Sequence, residues 1–169
     1  MANVCSNAIF CEDMQSYMAV RAFIDKYDSL NFNLICPQPG NNKDLLKEIA
    51  DCIDETSDYY LEKYNVKDLW KHMYWGTTGC CDVMCIDDKL VITFKTAWNP
   101  PFGIIKALWD RGIKFKFYFN DEADNGIHDL QMDSNLEMVS DDITDINVVR
   151  SMAEIFECPL WLDADEDED

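Results

Sequence analysis

Apolar and polar positions alternate in short blocks along most of the chain, and the period of each block predicts its element. Residues 8–11 (AIFC) form a short apolar run that reads as a first strand. Glu12 and Asp13 follow as capping acids, and Met14, Tyr17, Met18, Ala22 and Ile24 recur mostly at helical spacing. A helix is therefore expected from Met14 to Tyr27. Residues 31–36 (NFNLIC) alternate, with Phe32 and Leu34 on one side, and predict a strand stopped by Pro37 and Pro39. After a loop at Gly40–Asn42, residues 43–73 carry three apolar stripes: Leu45, Leu46, Ile49 and Ile53; Tyr60, Leu61 and Tyr64; Val66, Leu69, Trp70 and Met73. Two or three short helices are expected there.

Residues 80–96 predict a hairpin turning at Asp87-Asp88, with Leu90, Ile92 and Phe94 on one face of its second strand. Asn99-Pro100-Pro101 breaks the chain. Pro101 suits a first helical turn, the stripe Ile104, Ile105, Leu108 and Trp109 continues it, and Gly112 closes it. Residues 113–119 (IKFKFYF) alternate most cleanly, with Ile113, Phe115, Phe117 and Phe119 opposite Lys114, Lys116 and Tyr118. Asn125-Gly126 signals a turn before a strand from Ile127 to Met132, and Leu136, Met138 and Val139 predict another. Asp141 or Asp142 is the expected cap of a helix over Ile146, Val149, Met152, Ile155 and Phe156. Without the helical insert at about 41–73, this order is that of an α+β, ferredoxin-like split βαβ core, an antiparallel sheet with helices on one face. The expectation is one domain over residues 1–162, with an acidic extension over about 120–162 and a disordered acidic tail at 163–169.

Composition sharpens this picture. At 169 residues and 48% apolar the chain can bury a core, and 12% aromatic content separates it from disordered acidic chains. The net charge of −19 is unevenly spread. Residues 120–169 hold 17 acids against one base, Arg150, a net of −16, while residues 1–119 hold 16 acids and 13 bases. Such a surface argues against direct binding of nucleic acid or an anionic membrane, and for a basic partner, a cation, or nothing more than solubility. The start MANVCSN has no basic region or apolar run, and no stretch approaches the ~20 apolar residues of a membrane span. A cytosolic protein is expected, its eight cysteines reduced and mostly buried.

The blocks MANVCSN, FNLICPQP, YWGTTGCCD and ITFKTAWNPPFGIIKAL, with FKFYFNDEADNGIHD after the last, resemble the YubB-like ferredoxin-like domain of phage, plasmid and other mobile-element proteins. The resemblance spans roughly residues 1–132 in scattered blocks, the insert unmatched. Its most specific parts are Thr96-Ala97-Trp98-Asn99-Pro100-Pro101 and Trp75-Gly76-Thr77. It implies a ferredoxin-like core and a mobile-element origin, and no catalytic residue.

Several constellations carry candidate chemistry. Cys80, Cys81 and Cys85 cluster downstream of His72, but without zinc spacing. On a regular strand Cys81 and Cys85 share a face, and buried structural thiols are the simpler reading. His72 and His128 are the only histidines and have no local nucleophile motif; no glycine-rich phosphate loop exists. Trp75, Trp98, Asn99 and Pro100 mark a possible ligand groove at a strand end. From Asp121 to Asp145 there are nine acids (Asp121, Glu122, Asp124, Asp129, Asp133, Glu137, Asp141, Asp142, Asp145), no Lys or Arg, and apolar residues between them. The stretch lacks the calcium-loop pattern; a solvated face is the default for a charge run, and the spacing also suits a folded acidic surface imitating nucleic-acid phosphates. The function expected is binding and inhibition of a basic host nucleic-acid-binding protein, of anti-CRISPR or anti-restriction type, without enzymatic activity, cofactor or metal. The alternative is a small-molecule-binding module or enzyme with its groove near Trp98.

Overall fold

A computed structural model describes residues 3–52, 65–122, 126–133 and 137–156. Strand β1 (Val4–Cys11) leads into helices α1 (Met14–Arg21), α2 (Phe32–Ile35), α3 (Asn42–Cys52) and α4 (Val66–Tyr74). Strands β2 (Cys80–Ile86) and β3 (Val91–Ala97) form the hairpin, followed by α5 (Phe102–Asp110), β4 (Phe115–Asp121), β5 (Ile127–Met132), β6 (Met138–Asp142) and α6 (Ile146–Phe156). The protein is thus α+β, with one six-stranded sheet in the order β2-β3-β1-β4-β5-β6. Every neighbouring pair is antiparallel. The helical connections each skip one strand: β3 lies between β1 and β2, and β1 lies between β3 and β4. The apolar stripe Tyr60, Leu61 and Tyr64, the position Ile53, Leu136, and the tail 163–169 lie outside the described residues.

Four local expectations are corrected. Residues 31–36 are not a strand. Phe32 and Ile35 stand one helical turn apart and both enter the core, while Leu34 is exposed, so this alternating stretch folds as the short helix α2. Helix α1 starts as expected, with Asp13 Oδ1 accepting from the Ser16 N–H at 2.7 Å, but it ends at Arg21. There Asp25 Oδ1 takes the Tyr27 and Ser29 N–H groups and forms a turn that competes with further helix. The hairpin turn is longer than Asp87-Asp88: a 3-10 turn spans Asp87–Lys89, and Leu90 sits at φ 55°. Finally, Asp141 and Asp142 belong to β6, and the acid at the start of α6 is Asp145, whose Oδ1 accepts from the Asn147 N–H at 2.9 Å.

The sheet is covered on both sides, rather than on one. Ile9, Ile92, Phe94, Phe117, Phe119 and Leu130 project from one face into the main core, where Tyr17, Val20, Phe32, Ile35, Leu45, Ile49, Trp70, Ile104, Ile105 and Leu108 of α1 to α5 meet them. On the other face, Ala8, Val91 and Ile127 receive Met152, Ala153 and Phe156 of α6. Period-2 alternation in β1, β3 and β4 serves both layers. No helix among the described residues is long and apolar enough to cross a membrane.

Candidate functional site

The Trp75-Gly76-Thr77 and Thr96–Pro101 segments meet at one end of the sheet. Trp75 is 5% exposed and donates its indole N–H to Cys36 O at 2.9 Å, so it is a core residue. Gly76, at φ 88°, lies so close to Pro100 that an added Cβ would stand 2.8 Å from Pro100 O. The Thr77 hydroxyl, fully buried, donates to Ala97 O at 3.1 Å. Below the turn, buried Asn7 donates to Cys5 O at 2.9 Å and to Thr96 Oγ1 at 3.0 Å, and Thr96 donates to Asn99 O at 2.7 Å. This network holds Trp98 at φ 71°, a left-handed conformation unusual for a bulky residue. Trp98 is 50% exposed, Asn99 is exposed and Pro100 is buried. The four proposed groove residues thus share a neighbourhood, with only Trp98 and Asn99 on the surface. Asn7→Ala should lower stability by about 2–3 kcal/mol, because it empties a buried site and strips partners from Thr96 and the Cys5 carbonyl. Trp98→Ala should cost less than about 0.5 kcal/mol. Denaturant titration of both variants checks the contrast.

The acids cluster along the opposite half of the sheet, on β5, the edge strand β6 and the turns around them. Asp121 and Glu122 end β4 beside the start of β1, where Glu122 Oε2 accepts from the Val4 N–H at 2.9 Å. Trp98 flanks the same strand start, its N–H donating to Asn3 O at 2.9 Å. Asp129 lies within β5, Asp133 and Glu137 at the β5–β6 turn, and Asp141 and Asp142 on β6. Glu122, Glu137, Asp141, Asp142 and Asp145 are exposed, whereas Asp121, Asp129 and Asp133 are half-buried. Asp124 lies outside the described residues. On this margin His128 Nδ1 pairs with Asp142 Oδ1 at 2.8 Å, with the imidazole stacked on Phe119. Lys116 belongs to β4, next to β5, and Lys95 to β3, on the far side of β1.

The thiols separate by burial. Cys5 and Cys11 are buried, Cys36, Cys80 and Cys85 half-buried, and Cys52 and Cys81 exposed. A bulge between Cys81 and Met84 shifts the register of β2, so Cys80 and Cys85 oppose Thr96 and Ile92 on one face while Cys81 opposes Lys95 on the other. The expected Cys81–Cys85 face is therefore replaced by a Cys80–Cys85 face, because one extra residue reverses the alternation. No group of three His, Cys, Asp or Glu side chains among the described residues could hold a metal ion. Burial, and secondarily the Asp13 charge, pushes the Cys11 thiol from 9.0 up to about 11. The folded state thus keeps the Cys11 proton more tightly than the unfolded chain, and this contribution to stability is lost as pH rises from about 9 to about 11. At pH 8, Ellman's reagent should modify Cys52 and Cys81 in the native protein, and Cys5 and Cys11 only on unfolding. Mass spectrometry of the labelled peptides reads the order.

Two features had no sequence signal: the cross-strand register that sets Asp129 opposite Asp141, and the polar role of Asn7 within an apolar strand. No family model, curated protein or solved structure matches the chain.

Proposed function

We propose that the protein binds a basic, nucleic-acid-binding host protein through the acidic margin formed by the end of β4, by β5 and by β6, and blocks that protein's access to nucleic acid. The observation that carries this reading is the edge strand. β6 and its flanks present Glu137, Asp141, Asp142 and Asp145 exposed, with no Lys or Arg between residues 120 and 145. Exposed edges are commonly protected by charge, which explains one or two acids. Protection alone does not require like charges directly across a ladder, as at Asp129 and Asp141, an arrangement that costs stability. Dispersed carboxylates on a folded, twisted surface reproduce the charge spacing that a basic groove reads in a phosphate backbone, and steer a basic partner over long range.

The mobile-element reading rests on the resemblance to YubB-like domains. The strand order β4-β1-β3-β2, all antiparallel with two strand-skipping helical connections, supports a ferredoxin-like core, with β5, β6 and α6 as additions. The mutual packing of Trp75-Gly76-Thr77 and Thr96–Pro101 supports reading those two blocks as one structural unit. Inhibitors of restriction or CRISPR nucleases are the class this combination fits. The test is capture of partners from a bacterial lysate by the tagged protein at low salt, followed by elution with duplex DNA. A basic nucleic-acid-binding protein released by DNA is the expected result. Partners that DNA does not displace would sink the reading.

A further inference from the structure

β6 ends the sheet, and the hydrogen bonds on its inner side fix what its outer side presents. The Ile143 N–H donates to Ile127 O at 2.9 Å and the Asp133 N–H to Glu137 O at 2.8 Å. Between these bonds the ladder keeps one register, from His128↔Asp142 to Met132↔Met138. Along an antiparallel strand, residues that bond one neighbour alternate with residues that bond away from it. Val139 and Asp141 therefore bond β5, and the main-chain N–H and C=O groups of Met138, Ser140 and Asp142 point outward. None of these outward groups has a partner among the described residues. Ser140 and Asp142 are exposed and Met138 is half-buried.

The opposite edge is closed. β2 is bulged, its Val83 N–H donates to Asp28 O at 3.2 Å, and its Cys80 O accepts from the Ser29 hydroxyl at 3.0 Å. An open edge is a template for pairing with another chain, which is why edges are usually bulged, covered or charged. β6 has no bulge in its register, no proline and no covering segment among the described residues. Charge alone guards it, and charge selects what can pair. Asp141 and Asp142 flank the edge on opposite faces, as neighbours in a strand must. Asp141 stands across from Asp129, and neither forms an ion pair with a described residue. A second copy of the chain would bring acids against acids, from a molecule of net charge −19. A segment with two adjacent basic residues would instead meet both faces with opposite charge across the new ladder.

We propose that an extended, basic segment of the partner adds to β6 as a further strand of the sheet. Its main chain bonds the outward groups of Met138, Ser140 and Asp142, and consecutive Lys or Arg residues lie beside Asp141 and Asp142, one on each face. The inference rests on the acidic-margin reading and deepens it: the acids draw the partner in, and main-chain pairing sets its register.

The test needs no partner. The capped heptapeptide TVTRKVT is titrated into the full isotope-labelled chain and followed by NMR. Saturable shifts of the Met138, Ser140 and Asp142 amide resonances are expected, with their hydrogen exchange slowed. The fully N-methylated peptide keeps the charges and loses every main-chain donor, and should bind at least about tenfold more weakly. Ser140→Pro removes one outward donor and no bond to β5, a change that edge strands accept. It should weaken binding about fivefold, the scale of one hydrogen bond. Asp141→Asn should weaken it about two- to threefold. No saturable shift, shifts that avoid β6, or equal binding of the N-methylated peptide overturns the inference, the last whether or not Ser140→Pro folds. These outcomes leave the acidic margin standing if DNA still displaces the captured partner, so the two failures are distinguishable.

Discussion

Replacing Gly103 by alanine should destabilise the protein by about 3 kcal/mol, a loss of roughly 6–12 °C in Tm for a chain of this size. Alanine is ordinarily the better helix former by about 1 kcal/mol, so propensity alone predicts the opposite sign. Packing decides the outcome. Gly103 lies in the first turn of α5, where an added Cβ would overlap Tyr74 O and stand 2.7 Å from Tyr74 C. Both are backbone atoms at the end of α4, with no rotamer to give. The two helices approach to backbone contact just below the Trp98 turn, so relief by separation would pull Trp75 from its contact with Phe32 and its hydrogen bond to Cys36. Gly79→Ala is the control, since nothing lies within 4 Å of its Cβ direction. Equal midpoints for the two variants in thermal unfolding would show that the close approach is absent.

Reversing Glu137, Asp141 and Asp142 to lysine should abolish partner binding, by at least about 100-fold, while leaving stability within about 1 kcal/mol of the parent. Each exposed ion pair is worth about 0.2–1 kcal/mol, and reversal converts attraction into repulsion at three sites at once, giving a few kcal/mol in total. The fold should tolerate this. Asp142 is 84% exposed at its side chain, and lysine is at home on an edge strand. At position 141 the change also relieves the repulsion from Asp129. Binding and stability are therefore expected to separate, the behaviour of a surface kept for a partner rather than for folding. Surface-plasmon binding to the captured partner, alongside denaturant titration, measures both. A variant that binds within threefold of the parent removes the acidic margin from the function.

Much of the architecture is legible in the sequence because it depends on local period. IKFKFYF announces a strand through strict alternation, and Ile104, Ile105 and Leu108 announce α5 after its prolines. NFNLIC misleads because Phe32 and Ile35 satisfy helical spacing while Phe32 and Leu34 satisfy alternation; tertiary packing makes the choice. The bulge in β2 is invisible for a similar reason. Its extra residue, with Asp82 at φ 53°, is fixed by pairing with β3 and not by local composition. The candidate site divides the same way. Acid density can be counted, so the margin is readable as charge. Which acids face one another depends on long-range register, which the chain specifies only through the assembled sheet.

Duplex DNA should compete with the protein for its captured partner. The affinity of the purified protein for its captured partner is measured at fixed salt across increasing concentrations of duplex DNA. The apparent Kd should rise in proportion to DNA concentration, because the acidic margin and the phosphate backbone compete for one surface of the partner. An apparent Kd that stays constant while the partner is saturated with DNA would contradict it.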